Sequence, residues 1–248
     1  MISRKRGDLA MKNLPISWQS GFGESSDWPP GTFLSQMPPE LQEAVLGMGD
    51  RKSFLRGEVL IQEDARDTDV ILLRTGAAKV TSCLGRRVTL LGVRVAGEVV
   101  GEMAASDGSP RSATVTACSA VEATVVTGAE WNRLLCRDLA VWRAQQQTVN
   151  RRLRRANRWR AVASAANAKI CVALALRELA SDYGRPGRKG VFIDVALSQA
   201  ELGSLVGLRE STVQKALAEL REDRAVDETR SARYTVFEEP LRRASEGA

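Results

Sequence analysis

The 248-residue chain contains no histidine. That absence removes His-based catalytic triads, histidine-ligated haem and most catalytic zinc sites. Cysteine is scarce too: Cys83, Cys118, Cys136 and Cys171 lie far apart and form no CxxC pair. Neither a zinc knuckle nor a compact iron–sulfur cradle is expected from them, and they read as small hydrophobes of a reducing compartment. No run approaches the roughly 18 apolar residues of a membrane span. Arg4, Lys5 and Arg6 have no apolar signal core behind them, which argues against export. The expectation is a cytoplasmic protein with no membrane partner and no metal, haem or iron–sulfur cofactor. Only acid, lysine or serine chemistry stays open, no such constellation is visible, and no enzyme is expected.

What is present is a globular composition, 44% hydrophobic, in a chain long enough for two domains with their own cores. The net charge of +6 favours a polyanionic partner.

Residues 1–30 mix basic, Ser, Gly and Pro residues without periodicity and are expected to form a disordered extension. FLSQMPPELQEAVLGMG, from Phe33, carries Leu41, Val45 and Met48 at helical spacing after a Pro-Pro start, which predicts a short helix. From Lys52 to about Glu130, apolar β-branched runs alternate with Gly-, Asp- and Arg-rich turns. That pattern predicts an all-β sandwich, barrel or jelly roll over residues 31–135.

At Trp131 the period turns helical and stays so to about Tyr183, with a break expected near Ser164–Asn167. Leu135, Trp142, Val149, Ala156, Ala163 and Ile170 recur every seven residues. A heptad stripe on a helix joining two domains predicts a coiled-coil dimer seam over residues 136–165, with Gln145, Gln146 and the arginines limiting its width. A helix packed on its own β domain is the plainer alternative. The arginines at 151, 152, 154, 155, 158 and 160 suit a solvated helix face, or a place near a phosphate or along a DNA flank.

LSQAELGSLVGLRESTVQKALAEL, Leu197–Leu220, is the most specific stretch. Ser198 followed by Glu201 is a capping box; Leu202, Leu205 and Val206 form an inner face, Gly207 ends the helix, and Val213, Leu217 and Leu220 line a second one. With RAVDETRSARYTVF read as a β-hairpin, residues 166–240 are expected to be a winged helix-turn-helix, followed by a tail over residues 241–248. The second helix would enter the major groove of double-stranded DNA by its first turn. Arg209, Glu210, Ser211, Gln214 and Lys215 face outward there, while Thr212 and Gln199 suit phosphates.

GEVVGEMAASDGSPRSATV, Gly97–Val115, interrupts the β region with three glycines and a proline around Glu102 and Arg111. A guanidinium offers a fork of donors to a phosphate, and amides at a glycine turn make an anion nest. A structural Glu102–Arg111 ion pair that binds nothing is the alternative.

Together, the motifs GEMAASDGSPRSATV and AELGSLVGLRESTVQKAL resemble the phosphate-binding cassette and the helix-turn-helix of the catabolite-activator (Crp/Fnr) family of bacterial transcription regulators. The resemblance runs from about Phe33 to Phe237. It implies an α+β fold: an N-terminal β-roll (a jelly-roll cyclic-nucleotide-binding domain), a long dimerisation helix and a C-terminal winged helix. It also implies a homodimer that binds double-stranded DNA, works with RNA polymerase and senses a cyclic nucleotide, cyclic AMP before cyclic GMP. Carried over, Gly101, Glu102, Met103, Arg111, Ser112 and Ala113 form the ligand cassette. Glu102 accepts from the ribose hydroxyl, Arg111 pairs with the cyclic phosphate, and the Ser112 hydroxyl and Ala113 amide donate to it.

The sequence departs from the family in two places. Where cyclic-AMP-binding relatives meet adenine with a Thr-Ser type pair, this chain has Ala156 and Asn157, which leaves the base open, with Asn157 as the remaining polar reader. In the reading helix the usual Arg-Glu pair stands one position early, as Arg209 and Glu210, with Ser211 before Thr212; an altered operator half-site is expected. A ligand-independent or other-ligand regulator, and a nucleotide-binding module acting on a partner protein, are the competing functions.

Overall fold

The computed structural model describes residues 28–85, 87–187, 189–229 and 232–246. The expected N-terminal extension therefore lies outside the described residues up to position 27. Its last residues are not loose: Pro29 is buried and the Trp28 indole Nε1 donates to Gln42 Oε1 at 2.8 Å.

After a short 3-10 turn (Leu34–Gln36) and helix α1 (Pro39–Leu46), eight strands build two antiparallel sheets. One has the order β1 (Asp50–Phe54), β8 (Val121–Val126), β3 (Val70–Leu73), β6 (Val99–Val100). The other runs β2 (Val59–Ile61), β7 (Thr114–Ala117), β4 (Ala77–Leu84), β5 (Arg87–Val95). Side chains alternate between faces along a strand. Ile71 and Leu73 thus join Val80, Val115 and Ala123 between the sheets. Val70 and Leu72 point the other way, onto Phe33, Trp131 and Val141. With both faces covered, β3 is apolar at every position, which explains the unbroken run Val70–Leu73.

The helical stretch is divided twice. Asp138 caps a new helix by accepting from the Ala140 and Val141 amides, so α3 (Gly128–Arg137) ends and α4 (Leu139–Ala165) begins there. Asn167, accepting from the Ile170 amide, then starts α5 (Ala168–Tyr183), where a break was expected. Leu135 therefore sits on α3 against the roll core, off the α4 stripe. Gln145 is not on the outer face either; it is buried and accepts from Trp131 Nε1 at 2.7 Å.

The C-terminal domain holds β9 (Gly184–Pro186), β10 (Val191–Ile193), α6 (Gln199–Leu205), α7 (Glu210–Glu222), β11 (Val226–Glu228) and β12 (Tyr234–Val236). Its sheet has the order β11-β12-β10-β9. The residues expected as a tail are largely helical: Glu238–Glu246 forms α8, with Leu241 buried in the domain core. Pro240 is tolerated because it falls in the first turn, where the backbone N–H has no partner to lose. That core continues into the roll, since Leu90, Val93 and Val95 of β5 pack with residues of α5, α6 and α7. Lys79 Nζ to Glu201 Oε1 (2.7 Å), the Leu90 amide to Ser204 Oγ (2.8 Å) and Tyr183 Oη to the Val93 carbonyl (3.1 Å) tie the same junction. No helix among the described residues is long and apolar enough to cross a membrane.

Candidate ligand cassette and nucleic-acid interface

The cassette begins at the end of β6. Gly101 turns the chain at φ +86° and heads α2 (Glu102–Asp107), which Gly108 closes at φ +70°. A Cβ at Gly101 would lie 2.7 Å from the Arg111 guanidinium and 2.6 Å from the Asp69 carbonyl. The glycine is required both for its left-handed backbone and for that close approach. The Asn132 amide donates to the Ala105 carbonyl at 2.7 Å and Gln145 Nε2 to Ser106 Oγ at 3.3 Å, which pins α2 to α3 and α4.

Glu102, Arg111 and Ala113 are buried, whereas Met103 and Ser112 are exposed, with Ser112 Oγ 3.8 Å from Met103 Sδ. Glu102 and Arg111 do not pair with each other. Arg111 donates to Asp67 through Nε (3.1 Å) and Nη2, to the Asp69 carbonyl through Nη2 (2.7 Å) and to the Gly101 carbonyl through Nη1 (3.1 Å). Glu102 is held instead by Arg152 of α4, Nη1 to Oε1 at 2.7 Å. The same guanidinium binds Glu98 through Nη2 at 2.5 Å and the Val99 carbonyl at 2.6 Å. Arg151 adds a second contact to Glu98 at 2.7 Å.

This charge cluster shifts its members. Burial pushes the Glu98 carboxyl up, but the Arg152, Arg94 and Arg151 guanidinia outweigh it and hold Glu98 below the usual carboxylate range. Burial likewise disfavours the charged form of Arg152, and Glu102 and Glu98 overcome it, so Arg152 is raised. For Arg94 the compensation is incomplete: burial and the neighbouring Arg152 outweigh Glu98, Tyr183 and Glu102 and push it down to about 10, and its Nε has no hydrogen-bond partner among the described residues. Further along α4, Arg155 grips Glu178 and Asp182 of α5 at 2.8 Å each, and Arg158 reaches Glu178 at 2.8 Å. Four of the six clustered arginines, Arg151, Arg152, Arg155 and Arg158, are thus ion-paired inside one chain, while Arg154, Arg158 and Arg160 are exposed, as expected of a solvated face.

The second site is built by α6 and α7. Both hydrogen bonds of the Ser198–Glu201 capping box are present. Gly207 (φ +71°) makes the turn, and Arg209 stands at the N-cap position of α7 without a side-chain capping bond. Val213, Ala216, Leu217 and Leu220 are buried, which leaves Arg209, Glu210, Ser211, Gln214 and Lys215 exposed together on the outer face. Thr212 is half-buried. Gln199 turns toward the wing, its amide 3.4 Å from Glu228 of β11.

A cyclic nucleotide-binding domain profile matches residues 51–138, and a Crp-like helix-turn-helix domain profile matches residues 168–240. The chain belongs to the Crp/Fnr family. FixK2 from Bradyrhizobium japonicum superposes with a TM-score of 0.67 at 19% identity, covering 80% of this chain and 98% of that one. The c-di-GMP-responsive global regulator CLP of Xanthomonas campestris gives 0.68 at 16%, covering 81% and 99%. A CRP-family transcriptional regulator from Thermus thermophilus gives 0.64 at 20%, covering 79% and 97%. Such identities speak for the fold alone. No curated protein matches the chain in sequence.

Within the Crp/Fnr frame, the residues a cyclic phosphate needs are present in kind: a buried guanidinium, an exposed Ser112 hydroxyl and a glycine cradle. Arg111 and Glu102, however, already carry intramolecular partners, Asp67 and Arg152. Asn157 is exposed on α4 and is not brought to the cassette of its own chain. It lies five positions after Arg152, about 140° around the helix. Asp67 and Glu98 had no signal in the sequence reading; Arg152 was visible only as one arginine among six.

Proposed function

We propose that the protein is a homodimeric, sequence-specific DNA-binding transcription regulator, with α7 as its reading helix and a β-roll that senses a cyclic nucleotide, cyclic AMP favoured. The observation that carries the DNA-binding part is the shared exposure of Arg209, Glu210, Ser211, Gln214 and Lys215 at the start of α7, beside a β11–β12 wing. Gln and Lys supply donors to adenine and guanine edges, Glu accepts from cytosine, and Arg209 at the N-cap suits a phosphate. Glu210 opens the helix in the slot where the family's usual arginine stands, and Ser211 follows in place of its glutamate. The operator half-site therefore departs from the usual one.

Dimerisation is supported by the outer face of α4. Leu139, Trp142 and Leu153 are large exposed apolar side chains there. With Val149 and Ala156 they are spaced by three, seven, four and three residues, the heptad pattern of a coiled-coil seam. Asn157 borders that stripe, so in a dimer it would face the second copy, where a base reader is expected. RNA polymerase is the remaining expected partner.

The intramolecular partners already held by Arg111 (Asp67) and by Glu102 (Arg152) favour a second reading, a regulator of the same fold that works without a cyclic nucleotide. Two measurements decide. Selection from random duplex DNA should return two half-sites about one helical turn, roughly 34 Å, apart; enrichment of no duplex removes the DNA-binding reading. Calorimetry with cyclic AMP, cyclic GMP and c-di-GMP, on the protein and on Arg111→Ala, should show heat for cyclic AMP that the variant loses. No heat from any of them establishes the second reading.

A further inference from the structure

Arg111 is almost fully buried, and its hydrogen-bonding capacity is nearly used up by its own chain. A guanidinium has five N–H groups. Four are engaged: Nε with Asp67, Nη2 with Asp67 and with the Asp69 carbonyl, and Nη1 with the Gly101 carbonyl. A phosphate binds arginine best through two parallel N–H bonds on one edge of the fork. The edge formed by Nη1 and Nη2 faces two backbone carbonyls, neither of which can leave without moving a strand end. The other edge, Nε with Nη2, is filled by the Asp67 carboxylate. Asp67 is the one occupant free to swing away, since its side chain is 55% exposed.

The contact is also built into the backbone. Asp67 belongs to the loop joining β2 to β3, and that loop is fastened to Arg111 by two main-chain bonds. The Asp64 amide donates to the Arg111 carbonyl at 2.9 Å, and the Arg111 amide donates to the Ala65 carbonyl at 2.8 Å. Asp64 takes a left-handed φ of +66° to make that turn. The loop therefore keeps the Asp67 carboxylate within reach of the phosphate-binding edge of the arginine, while the side chain itself can turn away.

We infer that Asp67 is a built-in competitor for the ligand's phosphate: an intramolecular anion that a cyclic nucleotide must displace from Arg111, and so a residue that sets the affinity threshold of the sensor. This rests on the cyclic-nucleotide reading given above. Two consequences separate it from a merely structural ion pair. Removing the carboxylate opens the bidentate edge, and it leaves Arg111 in place through the Gly101 and Asp69 carbonyls.

The test is calorimetric titration of the full chain with cyclic AMP and cyclic GMP, comparing the natural protein with Asp67→Ala, Asp67→Asn and Arg111→Ala. Thermal unfolding of each verifies folding. Because a hydrogen bond to a charged group is worth about 1.5–3 kcal/mol, Asp67→Ala should tighten nucleotide binding about tenfold or more. Asp67→Asn, which keeps an acceptor without the charge, should fall between, and Arg111→Ala should abolish binding. Heat in the natural chain that Asp67→Ala strengthens and Arg111→Ala loses is the strongest supporting result. Equal affinities in the natural chain and Asp67→Ala overturn the competitor role while the nucleotide reading survives, and so does weaker binding in Asp67→Ala, which would make Asp67 a support for Arg111. No binding by any folded variant overturns both.

Discussion

Arg152 of α4 holds Glu98 and Glu102 at once, 2.5 and 2.7 Å from its two terminal nitrogens. One guanidinium thereby joins the strand end before the cassette, the first turn of the cassette helix and the helix that leads to the C-terminal domain. Breaking a buried pair by deleting one partner leaves the other charge uncompensated, which typically costs about 3–5 kcal/mol. Arg152 is one-fifth exposed, so the low end applies. Arg152→Ala should therefore lower the urea-unfolding free energy by about 3 kcal/mol. The Glu98→Gln/Glu102→Gln background should shrink that loss, and a full loss in that background would show that packing, not charge, is at stake.

The same pairing predicts an acid limit. Glu98 is held below its ordinary value of 4.5. A carboxyl with a depressed native pKa contributes stability that is fully present above its unfolded value and is lost as pH falls through its folded one. The contribution is thus intact at neutral pH and declines below about pH 4.5. Thermal unfolding followed from pH 7 to 3 should show a steeper fall in Tm for the natural chain than for Glu98→Gln. Parallel curves would remove Glu98 from the account.

Local signals were the legible ones. The capping box at Ser198–Glu201, the turn at Gly207 and the break at Asn167 each depend on a few neighbouring residues, and each lies where the sequence places it. The alternation of short apolar runs likewise pointed to an all-β sandwich, barrel or jelly roll, and the family resemblance to a β-roll. Partners far apart in sequence were illegible. Arg111 meets Asp67, 44 residues earlier, and Arg152 meets Glu102, 50 residues earlier, and no periodicity links either pair. Glu102 and Arg111 looked like a couple because they are close in sequence; in the fold, each answers to a different segment. Asp138 was hidden for another reason: an N-cap in the middle of a heptad pattern changes the helix axis without interrupting the apolar count. In α8 the signal was short, and the segment expected as a tail over residues 241–248 starts inside a helix whose Pro240 stands in the first turn.

The shared core between roll and winged helix has a thermodynamic signature. Leu90 is 2% exposed and packs among C-terminal residues, although it belongs to β5 of the roll. Leu→Ala in a packed core costs about 2–5 kcal/mol. If the two domains unfold as one unit, Leu90→Ala should weaken amide-exchange protection in α6 and α7 as well as in β5. Protection lost in β5 alone would show that the domains open independently.

α7 offers two basic side chains in different settings. Arg209 stands at the N-cap, outside the helix, whereas Lys215 projects from its second turn. An N-cap side chain lies alongside the groove wall, where phosphates are within reach; a second-turn side chain on the exposed face lies over base edges. The two substitutions should therefore fail differently. Arg209→Ala should weaken binding to specific and unrelated duplexes alike and reduce the slope of log K against log salt by about 1. Lys215→Ala should cost about 1–3 kcal/mol on the selected operator only, with relaxed preference at one position of each half-site. Salt titrations of both variants on both duplexes check this, and interchanged patterns would assign base reading to Arg209 and phosphate contact to Lys215.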